Sequence, residues 1–244
     1  RGKEGYLTVN GGTVISASYY AVRTDVNTHN TTANGTLKAQ TMFNGGTVYG
    51  FYLMDRGSDL SNMPVNTVEF SVGDAATIKP CEYNGQALRF RVNAKSAYDL
   101  TVSENATVEG TIKGAVTKIG NKYYAYLQDA IDACTAGDNT ITLRENVTED
   151  VVITQLEGVN VVIDGDNKTF TGLMTVFGNG RQSGAETLAI KNVNFVAKAG
   201  ADACILSPDR TAQNPARYSY SHNVTVENCT FTDPDGSVDC AAIR

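Results

Sequence analysis

Apolar and polar residues alternate along this chain in short runs, and the runs are separated by turns rich in Asn and Gly. A period of two directs every second side chain to one face, so short β-strands with one buried face are predicted. The runs also repeat. Leu7-Thr-Val-Asn-Gly-Gly-Thr-Val14 returns as Thr41-Met-Phe-Asn-Gly-Gly-Thr-Val48, then more loosely as Val72-Gly-Asp-Ala-Ala-Thr-Ile78 and Val102-Ser-Glu-Asn-Ala-Thr-Val108. Their shared threonines, Thr13, Thr47, Thr77 and Thr107, lie 34, 30 and 30 residues apart. A related unit, Leu188-Ala-Ile-Lys-Asn-Val-Asn-Phe195, returns as Val224-Thr-Val-Glu-Asn-Cys-Thr-Phe231 at an offset of 36. In each unit two alternating apolar positions precede a polar pair and two follow it, which predicts two short strands meeting at a bend. Asn and Gly allow the left-handed backbone angles that such a bend needs. Apolar snippets between the copies, Ala21-Val22, Phe51-Tyr-Leu53 and Cys204-Ile-Leu206, read as a third strand. Such a coil cannot bury its inward face alone, whereas stacked coils pair every strand edge and share a continuous core. The expected fold class is all-β, a solenoid of stacked coils.

One stretch breaks the pattern. From Tyr123 to Cys134, Leu127, Ala130, Ile131 and Cys134 fall at helical spacing, and Gly137 stands where a helix C-terminus favours a residue tolerant of positive φ. Strands resume at Thr140-Ile-Thr-Leu143, Val151-Val-Ile153, Val159-Asn-Val-Val-Ile163 and Phe170, with a turn at Asp164-Gly-Asp-Asn167. A helix lying across the open edge of the first coil is expected to cap a second solenoid.

Lys118-Ile-Gly-Asn-Lys-Tyr-Tyr-Ala-Tyr-Leu-Gln-Asp-Ala-Ile-Asp-Ala133, with Asp138-Asn-Thr-Ile-Thr-Leu143 and Val159-Asn-Val-Val-Ile-Asp-Gly165, resembles the opening of pectin-lyase-like domains in large, adhesin-like bacterial surface proteins. The Asn-Gly-Gly-Thr-Val units resemble later coils of the same domains. The resemblance implies a right-handed parallel β-helix. Because late-type coils come first, it implies two partial β-helices in tandem: residues 1–113 as C-terminal-type coils, 114–120 as a junction, and 121–244 as the capping helix and opening coils of the second. Both ends are then expected to be cuts within a longer array.

Composition adds mainly exclusions. The net charge of -6 arises wholly after residue 113, and no Lys/Arg cluster provides the footprint a nucleic acid needs. No apolar run approaches the ~18 residues of a membrane span. The two histidines, His29 and His222, have no Cys or second His nearby, so no metal and no cofactor is assigned. Nucleophile elbows and Walker loops are absent from the sequence.

Glycoside hydrolysis usually needs two carboxyl groups across the scissile bond, and calcium-assisted lyases need an acidic cluster with a basic residue. Asp202, Asp209 with Arg210, and Asp233, Asp235 and Asp239 are candidates, against the plainer reading as turn residues. Asp164 and Asp166 read as structural, and no catalytic residue is assigned. Tyr19, Tyr20, Tyr49 and Tyr52, and above all Arg217, Tyr218 and Tyr220, fall in or beside inter-strand segments where outward rings would form a sugar-stacking strip. The alternative for them is loop packing.

Five cysteines, Cys81, Cys134, Cys204, Cys229 and Cys240, lack metal spacing. Cys204 and Cys240, 36 apart, are expected to stack on adjacent coils as buried thiols, although strand spacing of ~4.8 Å also permits a disulfide. Sequons at Asn30, Asn34, Asn105, Asn146, Asn167, Asn223 and Asn228 follow from an Asn/Thr-rich composition.

The expected role is an extracellular, cell-surface one, displaying or binding glycans or host and bacterial surface proteins without catalysis. Self-association through solenoid ends would add a further partner. The alternatives are a polysaccharide-active β-helix lyase or glycoside hydrolase, and a viral spike or filament subunit.

Overall fold

Period-two alternation becomes parallel sheets. A computed structural model describes residues 4–26, 37–55, 66–178, 186–207, 223–234, 236 and 241–244. Among the described residues the fold is all-β apart from one short helix, and the chain divides into two compact units.

The first unit comprises Arg1–Ala115 with Asn121–Ala125. One sheet aligns Glu4–Val9, Lys38–Tyr49, Thr67–Lys79 and Ala97–Val102 in parallel, with Lys122–Tyr124 antiparallel beside the last. A second parallel sheet aligns Val22–Val26, Phe51–Asp55, Gln86–Arg91 and Thr111–Lys113. The chain alternates between the two. Thr13, Thr47, Thr77 and Thr107 lie directly opposite one another along the ladder.

Lys38–Tyr49 and Thr67–Lys79 run through the Asn-Gly-Gly site as single long strands, rather than as two short strands meeting at a bend. A register shift between Phe43 and Gly45 absorbs the irregularity as a bulge, so pairing continues on both sides. Asn44 Nδ2 donates to Asn10 Oδ1 at 2.8 Å, joining the bulge to the preceding strand.

The inner faces of both sheets share one core. Phe51 stacks on Phe70 with centroids 4.6 Å apart, while Phe43 and Phe90 meet Phe70 edge-on at 5.9 and 5.2 Å. Val68, Ile78, Leu53, Leu88 and Leu100 complete it. Each such side chain contributes about 1.5–3 kcal/mol by burial.

The second unit comprises Val116–Gly120 with Tyr126–Arg244. Here the chain visits three sheets in a fixed order, four times over. The first sheet contains Gly137–Leu143, Val159–Asp164, Leu188–Lys191 and Val224–Glu227. Val147–Thr148, Thr169–Thr171, Asn194–Val196 and Thr230–Thr232 form the second, and Val151–Thr154, Met174–Phe177, Ala203–Leu206 and Ala241–Ile243 the third. Leu188 faces Val224 and Phe195 faces Phe231, the offset of 36 read from the sequence. Phe170, Phe195 and Phe231 form a column of rings 5.6 and 5.0 Å apart.

The bends carry polar ladders. Asn192 and Asn228, at equivalent positions, adopt φ of 56° and 52°. Asn192 Nδ2 donates to Asp164 Oδ1 at 3.0 Å, the Asp166 N–H donates to the same oxygen at 3.2 Å, and Lys191 Nζ lies 3.6 Å from Oδ2. Burial raises the Asp164 pKa, but these donors outweigh it and hold the carboxyl below its ordinary range. Asp164 is thus a structural turn residue.

The third sheet departs from the expected stacking of cysteines. Ala203 pairs with Ala241 and Ile205 with Ile243, an offset of 38, which places Cys204 opposite Ala242. Two more residues separate the second and third strands in the last pass than in the one before, so the 36-residue register is lost there. Cys240 itself lies outside the described residues.

The helix is shorter than the Tyr123–Cys134 periodicity predicts, running over Leu127–Asp132. Lys122–Tyr124 is instead drawn into pairing with Ala97–Val102. Gly137 has the expected positive φ of 96°, but it opens a strand and does not end the helix. Leu127, Ala130 and Ile131 are buried. Cys134 is half-buried, and burial, aided by the Asp132 charge, pushes its thiol up to about 11.

One side chain fastens this helix to the strand Val151–Thr154, and another, from just before that strand, holds the helix start. Gln128 Nε2 donates to the Val152 carbonyl at 2.9 Å, and the Val152 N–H donates to Gln128 Oε1 at 2.7 Å. One side-chain amide therefore satisfies backbone groups at the sheet edge. At the helix start, where Tyr126 offers no side-chain cap, Glu149 Oε1 accepts the Leu127 N–H at 2.6 Å.

Burial raises the Glu149 pKa, with a smaller contribution from Asp129, against hydrogen bonds from the Leu127 and Gln128 N–H groups. A carboxyl with a raised folded pKa favours the folded state most below its ordinary value of 4.5, and loses that advantage as pH rises through the folded value. Relative to Glu149→Gln, the native chain is therefore expected to lose stability as pH rises from 4 to 7. Urea midpoints of both proteins check this, and a gap moving the other way would refute it.

Candidate functional site

Strand alternation puts core residues on one face of the second sheet of the first unit and leaves the other free for polar side chains. Phe51, Leu53, Leu88 and Phe90 face the core. The register pairs Arg23 with Tyr52 and Tyr52 with Arg89, so a tyrosine stands between two arginines on three adjacent strands. The Arg23 and Arg89 guanidinium carbons lie 5.8 and 5.0 Å from the Tyr52 ring centroid, within cation–π range.

Three further rings extend the face. Tyr52 meets Tyr20 at 5.2 Å, Tyr20 meets Tyr19 at 5.0 Å, and Tyr19 meets Tyr83 at 5.3 Å. Tyr20 and Tyr52 are buried, Tyr19 is half-buried, and Tyr83 is 59% exposed. The row passes from an anchored interior to an accessible ring.

Hydrogen bonds fix the anchored part. The Tyr20 hydroxyl donates to Gln86 Oε1 at 2.5 Å and accepts from Asn84 Nδ2 at 2.9 Å. Asn84 Oδ1 accepts from Cys81 Sγ at 3.1 Å and from the Gln86 N–H at 3.0 Å. The neighbouring Tyr20 hydroxyl raises the Arg89 pKa, against the opposing effect of partial burial. Gly50 makes this packing possible, since a Cβ there would lie 2.5 Å from Cys81 Cβ and 3.2 Å from Tyr20 Cδ1.

The arginines differ in their partners. Arg23 forms an ion pair with Asp25 at 2.8 Å. Among the described residues, neither Arg89 nor Arg91 has a carboxylate within ion-pair distance; Arg91 instead reaches the Met54 sulfur at 3.9 Å.

A second polar feature lies on the outer face of the other sheet in this unit. A shallow groove of about 200 Å³ is lined by residues including Gln40, Met42, Glu69, Ser71, Asp99 and Thr101. Glu69 and Asp99 oppose each other in register, a placement of like charges that alone is destabilising. Cations flank them: Lys38 Nζ lies 3.1 Å from Glu69 and Lys122 Nζ 3.2 Å from Asp99. Gln40 Nε2 and Thr101 Oγ1 donate to the same two carboxylates at 2.7 and 2.9 Å.

Of the tyrosines singled out from sequence, the structure brings together Tyr19, Tyr20 and Tyr52, while Tyr49 supplies its carbonyl to the Ala21 N–H. Arg217, Tyr218 and Tyr220 lie outside the described residues, as do His29, His222, Asn30, Asn34, Asp209, Arg210, Asp235 and Asp239. Asp202 pairs with Arg244 at 3.4 Å, and the Asp233 carbonyl closes a turn onto the Gly236 N–H. Sequence reading missed Tyr83 and Arg89. For Arg89 the signal was available, because Arg89-Phe90-Arg91 alternates outward cations about a core ring.

Among the described residues no three His, Cys, Asp or Glu side chains group as a metal site, and no helix is long and apolar enough to cross a membrane. Comparison with protein-family models, curated proteins and solved structures gave no match to this chain. The Tyr–Arg face can do two things chemically: offer ring surface to the apolar face of a sugar, and offer guanidinium donors to its polar groups.

Proposed function

We propose that the chain is a run of right-handed parallel β-helix coils of the pectin-lyase-like kind, from a bacterial surface protein, arranged as two partial β-helices. Its role is extracellular and non-catalytic: a stiff scaffold that presents a glycan-binding face. The repeated return to the same sheets, with threonines and phenylalanines in register, supports the coil reading. The observation that carries the functional reading is the row Tyr83–Tyr19–Tyr20–Tyr52 beside Arg89, anchored at one end and exposed at the other.

The second reading, a polysaccharide-active β-helix enzyme, is favoured by Glu69 and Asp99 sharing one groove. Incubating the chain with plant, microbial and host polysaccharides separates the two. Retention of a glycan on the immobilised protein, with no new reducing or unsaturated ends, is expected. Release of such ends, abolished by Glu69→Gln or Asp99→Asn, would replace binding with catalysis.

A further inference from the structure

Resting on the reading of the Tyr–Arg face as a glycan site, we infer that its ligand is an acidic saccharide, whose carboxylate or sulfate is held by Arg89 while a neighbouring ring of the sugar lies on Tyr83.

Arg89 is half-buried beside Tyr19, Tyr20 and Tyr52, with rings and phenols in place of a carboxylate. A phenol and a ring face stabilise a cation less than a paired carboxylate does. Its charge is therefore matched by no carboxylate among the described side chains. Arg91, two residues along the same strand, adds a second guanidinium with no carboxylate partner among them, and Lys113 lies opposite Arg89 in the register of the next strand. Of the described carboxylates, Asp25 on this face is already tied to Arg23, and Glu82 is next to Tyr83 in sequence.

The background matters as well. A chain of net charge -6 repels polyanions in general, so a local cationic face selects for an anion that docks at a defined place. The planar guanidinium fork matches the two oxygens of a carboxylate or sulfate. A simple anion would leave Tyr83 and Tyr19 unused, whereas a sugar bearing the anion covers them.

Titration calorimetry on the intact chain tests this with three hexasaccharides: hyaluronan, which carries carboxylates alone, sulfated chondroitin, and neutral chitohexaose. At least one acidic ligand is expected to bind ten-fold or more tightly than chitohexaose, with an affinity that falls as salt rises. The preferred one identifies the anion as carboxylate or sulfate. Arg89→Gln is expected to remove that preference, weakening the acidic ligands far more than chitohexaose, while Tyr83→Ala weakens every ligand that binds. Arg89→Lys, which keeps the charge and loses the fork, should retain part of the preference, and circular dichroism confirms that each variant is folded. Equal binding of acidic and neutral ligands would overturn the inference and leave the glycan-binding role standing. Acidic binding insensitive to both Arg89→Gln and Tyr83→Ala would also overturn it. Failure of all three ligands to bind would remove both this inference and the proposed role of the face.

Discussion

Phe70→Ala is expected to lower the unfolding free energy by about 3–5 kcal/mol, the range for truncating a fully packed aromatic residue. The size follows from its neighbours. Phe70 is 2% exposed and its ring touches those of Phe43, Phe51 and Phe90, which come from strands of both sheets in the first unit. Deleting it removes the transfer energy of the ring and leaves a cavity bounded by three large side chains that the paired strands hold apart. Phe231→Ala is the comparison. Phe231 stacks on Phe195 at 5.0 Å but is only half-buried, so its loss is expected to cost about 1 kcal/mol. Denaturant unfolding of the two variants beside the native chain measures both numbers. Equal losses would contradict the placement of Phe70 at the meeting point of the two sheets.

Gly50→Val should be nearly as damaging and more informative about the candidate site. Gly50 has φ of 80°, a region that a β-branched residue occupies only with strain of about 1–3 kcal/mol. Its backbone is also committed, donating to the Lys79 carbonyl at 2.9 Å and accepting from the Val22 N–H at 3.2 Å, so it has little freedom to relax. Added atoms would collide with Cys81 and press on the Tyr20 ring. A total loss of about 3 kcal/mol is expected, together with weaker saccharide binding because Tyr20 positions both Tyr52 and Arg89. Gly12→Ala isolates the conformational part. Gly12 has a similar φ of 86° but open space around it, so this change should cost about 1 kcal/mol and leave saccharide affinity unaltered. If the two variants behave alike, packing against Cys81 and Tyr20 is not what Gly50 provides.

The strand ladder was legible because register and repeat are the same fact: Thr13, Thr47, Thr77 and Thr107 align in sequence and pair in space. The helix was legible only in its middle, since periodicity at Leu127, Ala130 and Ile131 does not reveal that a neighbouring strand claims Lys122–Tyr124. The number of sheets was legible in the second unit and not in the first. An Asn at φ 56° ends pairing at Asn192, whereas Asn44-Gly45-Gly46 lets pairing continue through a bulge, and both read as polar bends. The aromatic face was half legible. Tyr19, Tyr20 and Tyr52 stood out by their outward positions, but their union with Tyr83 and Arg89 depends on which strand lies beside which, and that is a property of stacking. The shift from 36 to 38 residues at Ala203 and Ala241 shows the same limit, because one turn of different length uncouples a third strand from the first two.

The spacing between paired residues in the first sheet of the second unit widens along the chain, from 22 at Ile141 and Ile163, to 27 at Ile163 and Ile190, to 36 at Ile190 and Val226. The ladder accepts all three. Extra length is therefore confined to the connections, where doubling a loop costs only about 0.6 kcal/mol in closure entropy. The molecule thus behaves as a chassis with interchangeable attachments: segments can be lengthened, shortened or swapped between rungs while the buried columns of Ile and Phe remain as they are. Surface segments can accordingly be added one insertion at a time.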